Sequence, residues 1–416
     1  MKKRLVASSL LSIAIASTSF AAEGPVPHGV PHLNHVYVIM MENHGYSQVL
    51  NNPNARFINQ LARTANLATN YFAIAHPSLT NYLEIVGGSN FGVLNDNDPA
   101  WHSTSCATNL STGIASTDNP YVASAICPIA GTGTDAATPA IDTTNESQGA
   151  PGTINIDGTQ SIPAATNIVG KTIADQLAVL GLHWKTYQEG LPQRGANLVN
   201  YSDGVYDNTT DFTKITPALN PALTSGDIVK LYAAKHNPFV YFRNQQGSGG
   251  YANMVDFDGP QGLYADLQRP ATEQPSFSFI SPNQCNDQHG RGNAGAFCNY
   301  DPSDDGSQAG LNPALIARGD ATVQKLVNAI HQSPSWHNGN NAIVVVWDEN
   351  DYSTAPNTNK VMLIVDTNYG VSGRRSSVSY NHFSLLKTLE AGFGLPCLNH
   401  ACDSNVNVMS DLFAAH

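Results

Sequence analysis

Val36-Tyr37-Val38-Ile39-Met40-Met41, followed at once by Glu42-Asn43-His44, carries the decisive signal for the fold. The run is apolar throughout and rich in β-branched and aromatic side chains, so it lacks the polar alternation of a strand with one wet face. It predicts a strand buried on both faces of a parallel sheet. Four further runs of this kind follow, at 239–242, 277–280, 343–347 and 361–365, with helical stretches between them at 55–65, 172–180, 313–332 and 382–391. In the third helix Asn312 stands where a cap belongs, Pro313 opens the first turn, and Leu315, Ala317, Val323, Leu326, Val327 and Ile330 supply an apolar face. Strand alternating with helix predicts an α/β fold, a doubly wound and mostly parallel sheet with helices on both faces. Irregular insertions rich in Thr, Ala, Asn, Gly and Pro interrupt it, a long one over about residues 101–168 and a second over 245–275.

The chain has 416 residues, 20 Lys+Arg against 32 Asp+Glu, and a formal charge of -12. Without a basic run, that balance argues against nucleic acid or anionic membrane as partner, because both demand clustered cations. Residues 1–21 read as a secretory signal: Lys2, Lys3 and Arg4, then an apolar stretch too short for a membrane span, then Ser19-Phe20-Ala21 as the cleavage site. The expectation is an exported protein, secreted or periplasmic, forming a single domain over 22–416. Export lets the six cysteines pair, and nearest neighbours give Cys106 with Cys127, Cys285 with Cys298, and Cys397 with Cys402.

Polar residues crowd the positions just after the expected strands. Glu42, Asn43 and His44 follow the first; Arg243 follows the second; Asn283, Asn286, Asp287 and His289 follow the third; Asp348, Glu349, Asn350 and Asp351 follow the fourth. In an open parallel sheet these ends share one edge, where ligands bind. Glu42, Asn43, Asp348 and Glu349 are hard oxygen ligands suited to Mg, Mn, Ca or Zn, and a divalent cation would let such close carboxylates stay charged. His289 and His382 have the chemistry to donate to phosphoryl oxygens or protonate a leaving group. Within His76-Pro77-Ser78-Leu79-Thr80-Asn81-Tyr82, a hydroxyl at the start of the following helix would serve as nucleophile beside free backbone N–H groups. Each feature alone has a plainer reading: Asp-Glu after a strand starts a helix, Ser78 or Thr80 caps one, and His183, His236, His331, His337 and His400 are structural or surface residues. Their joint occurrence favours phosphoryl transfer.

Five ordered blocks then resemble the bacterial phosphoesterase family of secreted acid phosphatases and phospholipases C, which has an alkaline-phosphatase-like fold. They are 38–44, 76–82, Asn283-Gln284-Cys285-Asn286-Asp287-Gln288-His289, Val346-Trp347-Asp348-Glu349, and Asn381-His382-Phe383-Ser384-Leu385-Leu386. The resemblance implies that Glu42, Asn43, Asp348 and Glu349 hold a divalent metal together with Ser78, the hydroxyl nucleophile. It implies that Asn43, Asn81 and His236 bind substrate, and that His289 and His382 act near the phosphate. Thr80 replaces the proline of the family's hydroxyl-x-Pro-Asn block, so Ser78 and Thr80 both remain candidates.

The expected activity is hydrolysis of phosphate monoesters through a phosphoseryl intermediate, with small phosphate esters as substrates and no integral membrane association. Asn81-Tyr82 in place of the lipases' Asn-Arg, the lack of a basic amphipathic segment, and a chain ending at His416 without a further lipid-binding domain all favour the monoesterase. A phospholipase C-type phosphodiesterase is the alternative, and an exported phospho-ligand binding protein is the non-enzymatic one.

Overall fold

The computed structural model describes residues 23–91, 93, 155–156, 168, 170–191, 232–245, 248–290, 313–350 and 358–415. The signal segment, Cys106, Cys127, Cys298, Asn312, Asp351, Trp101, His102 and nearly all of the 101–168 insertion lie outside them. The strands are β1 (His35–Met41), β2 (Asn66–Phe72), β3 (Ala75–His76), β4 (Asn155–Ile156), β5 (Trp184–Gln188), β6 (Met254–Val255), β7 (Phe277–Ser281), β8 (Asn341–Trp347), β9 (Lys360–Thr367), β10 (Arg375–Ser376) and β11 (Tyr380–Asn381). Nine form one sheet in the order β10-β2-β9-β8-β1-β7-β5-β6, with β11 also pairing β2, while β3 and β4 pair separately.

Every residue of β1 and β8 is buried, as their unbroken apolar sequence requires. At about 1.5–3 kcal/mol for each large apolar side chain withdrawn from water, these two strands supply much of the core's driving force. They run parallel in a seven-residue register from His35 opposite Asn341 to Met41 opposite Trp347. β7 flanks β1 on its other side, also parallel. The register brings the ends of three strands level, so the residues that follow them emerge side by side.

Two expectations are corrected here. The run 361–365 does form a buried strand, but β9 is antiparallel to both β8 and β2. β9 follows β8 after a dozen residues and returns along it, whereas a parallel return needs a longer crossover, usually helical. The run 239–242 is not a strand: Pro238–Tyr241 form a 3-10 helix, and Phe242 makes an isolated bridge to Ile168. Pro238 has no N–H to give a ladder, and its fixed φ suits a helical first turn. Phe239 and Phe242 are nevertheless fully buried, so their apolar character reported burial and not strand geometry. Arg243 thereby leaves the set of strand-end residues. The 245–275 stretch also contributes to the sheet, through its edge strand β6.

Helices form Arg56–Thr64, Ser78–Gly87, Ile173–Val179, Pro313–His331 and His382–Phe393. Of the apolar face expected in the fourth, Leu315, Val323, Leu326, Val327 and Ile330 are buried and Ala317 is exposed. Asp320 in that helix accepts from the Phe57 and Ile58 N–H groups at 3.0 and 2.7 Å, capping the first helix from a distant part of the chain. Asn381 caps the last helix through Ser384 N–H at 3.0 Å. Cys397 and Cys402 form a disulfide, as nearest-neighbour pairing predicts. No helix among the described residues is long and apolar enough to cross a membrane.

Candidate active site

Backbone bonds continue the sheet's register past its edge: Glu42 N–H donates to the Asp287 carbonyl at 2.8 Å and Asp348 N–H to the Met41 carbonyl at 3.0 Å. Three carboxylate residues from β1, β7 and β8 are thus tied to one another through main chain. Glu42, Asp287 and Asp348 are each at most 1% exposed, and Glu349 beside them is 4% exposed.

Ser78 is the first residue of the helix Ser78–Gly87, fully buried at the same edge. Its Oγ lies 3.2 Å from Glu42 Oε2 and 3.3 Å from Glu349 Oε1. Thr80, two residues on and so on a different side of the helix, donates instead to the Val93 carbonyl at 3.1 Å. That contrast singles out Ser78 as the hydroxyl facing the carboxylates. Tyr82, one turn along from Ser78, donates to Glu42 Oε1, and its ring stacks on His236 with centroids 5.2 Å apart and planes 7° from parallel.

The remaining expected residues separate into those at the centre and those that brace it. Asn81 Oδ1 accepts from Ile74 and Ala75 N–H at 3.0 and 3.1 Å, while its amide nitrogen donates to the Ala75 carbonyl and Glu349 Oε2 at 2.9 and 3.2 Å. Its amide is therefore committed to the loop before the helix and to Glu349. His382 is fully buried, with Tyr71 hydroxyl on Nδ1 at 2.8 Å and the Asp348 carbonyl on Nε2 at 2.6 Å. Burial lowers its pKa to about 4, partly opposed by the bond to the Asp348 carbonyl. A neutral ring accepting from Tyr71 and donating to Asp348 holds the main chain at the end of β8. His289 is half-buried, and its Nδ1 faces the Gly290 carbonyl at 2.6 Å.

His236 departs from the reading as a structural or surface residue. It is 2% exposed, with Nε2 3.1 Å from Glu42 Oε1 and Nδ1 3.5 Å from Asp287 Oδ2. Its ring centroid is 6.2 Å from that of His289. Three residues outside the expected site also take part. Asp287 sits in a quoted block, but its approach to His236 was not legible there. His76 lies with Nδ1 2.8 Å from Glu349 Oε2. Glu189, following β5, receives both of its oxygens' contacts from Asn286 Nδ2 at 2.9 Å and accepts Asn283 N–H at 3.0 Å, shaping the loop that carries Asp287 and His289. His331 and His400 do pair away from this edge, with Asp366 and Asp403.

This concentration of buried acid is costly unless neutralised. Burial raises Glu42 to about 7, with the Lys235 charge and the Tyr82 hydroxyl drawing it back. Asp287 and Asp348 are pushed well above the carboxylate range by burial and then by the charge of Glu42. Several oxygens are also buried with no hydrogen-bond partner: both of Asp348, Oδ2 of Asp287 and Oδ1 of Asn43. Hard oxygen donors left unsatisfied among crowded carboxylates fit a divalent cation, which would neutralise the charge and occupy the lone pairs. Glu42, His236 and Asp287 can each offer a ligand atom within 4.8 Å of the other two.

The chain is similar to several known proteins. The chain is 23% identical over 407 residues to the phosphatidylinositol-3-phosphatase of Mycobacterium tuberculosis, covering 96% of this chain and 91% of that one. It is also 23% identical over 407 residues to an acid phosphatase of Aspergillus fumigatus, covering 96% of this chain but 64% of the longer fungal protein. Among solved structures, a protein in the alkaline phosphatase superfamily from Vibrio parahaemolyticus aligns over 96% of this chain and 75% of its own, with a TM-score of 0.46 and 12% identity. Residues 47–298, which include Ser78, His236, Asp287 and His289, match the Phosphoesterase family, so the chain belongs to that family and is a phosphoric ester hydrolase.

Proposed function

We propose that the protein is an exported, metal-dependent acid phosphatase that cleaves phosphate monoesters with Ser78 as nucleophile. The observation that carries this reading is the seating of Ser78 Oγ between Glu42 and Glu349 at the start of a ten-residue helix. The export signal at 1–21 and the names of the mycobacterial and fungal relatives, both phosphatases, support the remainder.

Glu42, Asn43, Asp348 and Glu349, with Ser78, would hold the cation. Bound there, it supplies Lewis acidity toward the phosphoryl oxygens and the serine oxygen. The protein's own groups do the rest. Glu42 or Glu349 takes the proton from Ser78 as its oxygen attacks phosphorus in line, forming the Ser–O–P bond while the P–O bond to the leaving alcohol breaks. The N-terminal end of the Ser78 helix favours the negative charge carried by the phosphoryl group. His289 protonates the departing alkoxide: with Nδ1–H given to Gly290, Nε2 is the nitrogen that passes the proton. Water then attacks the phosphoserine, releasing phosphate and restoring the hydroxyl. His382 and Asn81 position Asp348 and Glu349, and neither needs to touch substrate.

The test is hydrolysis of p-nitrophenyl phosphate and of p-nitrophenylphosphorylcholine by the wild-type protein and Ser78→Ala, from about pH 5 to 8.5, with and without chelator. Monoester turnover that disappears in Ser78→Ala and on chelation is the expected result. Preference for the diester would move the assignment to a phospholipase C-type enzyme. No turnover of either substrate by folded, metal-restored protein would favour a phospho-ligand binding protein.

A further inference from the structure

We infer that the protein carries a second ligand site, for a neutral polyhydroxylated molecule such as a sugar ring, in a cleft at the sheet edge opposite Ser78. The cleft shares no residue with the candidate active site and does not depend on the phosphatase reading.

Segments 32–35, 181–183 and 271–276, together with Asn338, enclose a cleft of about 420 Å³. That volume falls within the roughly 300–1,000 Å³ of small-molecule sites. The segments lead into β1, β5, β7 and β8, which run parallel. The cleft therefore lies at the amino ends of strands whose carboxyl ends carry Glu42, Asp287 and Asp348. The seven residues of β1, at about 3.3 Å each, hold it roughly 20 Å from the catalytic edge.

His35 decides what the cleft can take. It is only 8% exposed, its backbone N–H is bound to Asn341 Oδ1 at 3.0 Å, and its ring Nδ1 lies 2.9 Å from the Pro275 carbonyl. A carbonyl only accepts, so Nδ1 carries the proton and Nε2 of the neutral ring keeps a lone pair. Burial lowers the pKa of this ring, which favours that neutral form. Nε2 has no hydrogen-bond partner among the described residues. An acceptor so placed selects a ligand that donates, and it repels the oxygens of a phosphate or carboxylate. No Asp, Glu, Lys or Arg lines the cleft, which likewise fits an uncharged ligand.

The walls supply the complementary groups. Gln274 is fully committed, with Oε1 accepting from the Tyr37 and Ser335 hydroxyls at 3.2 and 2.7 Å and Nε2 donating to the Arg269 carbonyl at 2.7 Å. Asn34 Oδ1 is taken by Asn340 N–H at 2.8 Å, which leaves its Nδ2 to donate. The Thr272 and Ser276 hydroxyls and the Asn338 amide also line the cleft. A sugar hydroxyl donates once and accepts twice, so it can give its proton to His35 Nε2 while accepting from an amide. The C–H face of the ring has Leu33, Leu182 and Ala271 to pack against. A metal on His32, His35 and His183 is the competing occupant. Among the described residues, however, the group of three ligating side chains with atoms within 4.8 Å of one another is Glu42, His236 and Asp287.

The test is saturation-transfer difference NMR on the full-length, metal-loaded protein, with glucose, galactose, N-acetylglucosamine and myo-inositol as probes. At least one should give a signal that survives excess inorganic phosphate and persists in Ser78→Ala. Thr272→Trp, at an exposed position, fills the cleft and should abolish it. His35→Phe removes the acceptor at similar volume and should weaken binding about tenfold, with folding checked by circular dichroism. No signal from any of these probes overturns the inference, and so does a signal unchanged in Thr272→Trp. A signal displaced by inorganic phosphate would put the sugar at the catalytic edge and overturn it too. Loss of monoester turnover in Ser78→Ala bears on the phosphatase reading alone.

Discussion

Gly319 lies inside the nineteen-residue helix Pro313–His331, where replacing glycine by alanine ordinarily stabilises by about 1 kcal/mol. Here the opposite sign is expected. A Cβ at this position would stand 2.2 Å from Gln288 Cγ and 2.9 Å from both Cδ and Nε2. Gln288 has nowhere to retreat: it is fully buried, its Oε1 accepts the Trp347 indole N–H at 2.9 Å, and its Nε2 donates to the Ile316 carbonyl at 3.2 Å. Its own backbone has φ 86°, a conformation that non-glycine residues seldom adopt. Overpacking costs about 1–3 kcal/mol and an orphaned indole N–H about 1–3 more, so after the helical gain Gly319→Ala should destabilise by roughly 1–5 kcal/mol. Urea unfolding at neutral pH reads this directly. Because Gln288 stands between Asp287 and His289, kcat/KM on the monoester should fall as well. In a Gln288→Ala background the obstacle is gone, and the second substitution should cost nothing further. A Gly319→Ala protein as stable as wild type would refute the reasoning.

Thr80→Val should retain most of the wild-type kcat, losing only one hydroxyl bond worth about 1 kcal/mol of stability, while Ser78→Ala retains none; equal losses in the two would undo the assignment of the nucleophile. Tyr82→Phe keeps the ring stacked on His236 but deletes the bond to Glu42, so kcat/KM should drop about 10–100-fold with an intact fold, and activity within about twofold of wild type would show that this bond does not matter. Glu390, fully buried and accepting Leu398 N–H at 2.8 Å, is raised well above the carboxylate range by burial. With its folded pKa above its unfolded value, its contribution to stability is complete below about pH 4.5 and is lost as pH rises toward the folded value. Glu390→Gln should therefore gain on wild type by up to about 1.4 kcal/mol per pH unit above about 4.5, and a gain that does not vary from pH 4 to 7 would exclude a buried, protonated Glu390.

The sequence made the centre of the sheet legible because β1, β7 and β8 are buried on both faces, so β1 and β8 are nearly continuous apolar runs and β7 is broken only by Ser278 and Ser281. The polar residues after those runs came to one edge for the same reason. β5 escaped because Lys185 and Gln188 break its apolar character; in the fold Lys185 and Tyr187 both meet Asp266, a partner distant in sequence. The choice between Ser78 and Thr80 needed a helix, since neighbours two apart diverge by more than half a turn. Nothing local distinguishes His236, which enters the site only through the family resemblance; its contacts come from Glu42 and Asp287, contributed by two other segments of the chain. His382 stands at the expected edge, and only the fold discloses its two ring contacts, with Tyr71 and the Asp348 carbonyl.

The reversal of β9 has a consequence for redesign. A parallel strand in that place would begin at the far edge of the sheet, but β9 begins at the catalytic edge, where Asn359 accepts Asn350 N–H at 2.8 Å and donates to the Ala75 carbonyl at 2.9 Å. The chain thus leaves the catalytic edge after Asn350 and rejoins it at Asn359, with both ends pinned by the same asparagine. Because Asn350 and Asn359 are fixed to each other, strand order, register and the placement of Glu349 depend on that contact and not on how many residues join the two. Those two asparagines therefore mark where a designer would splice an alternative connection without disturbing the sheet.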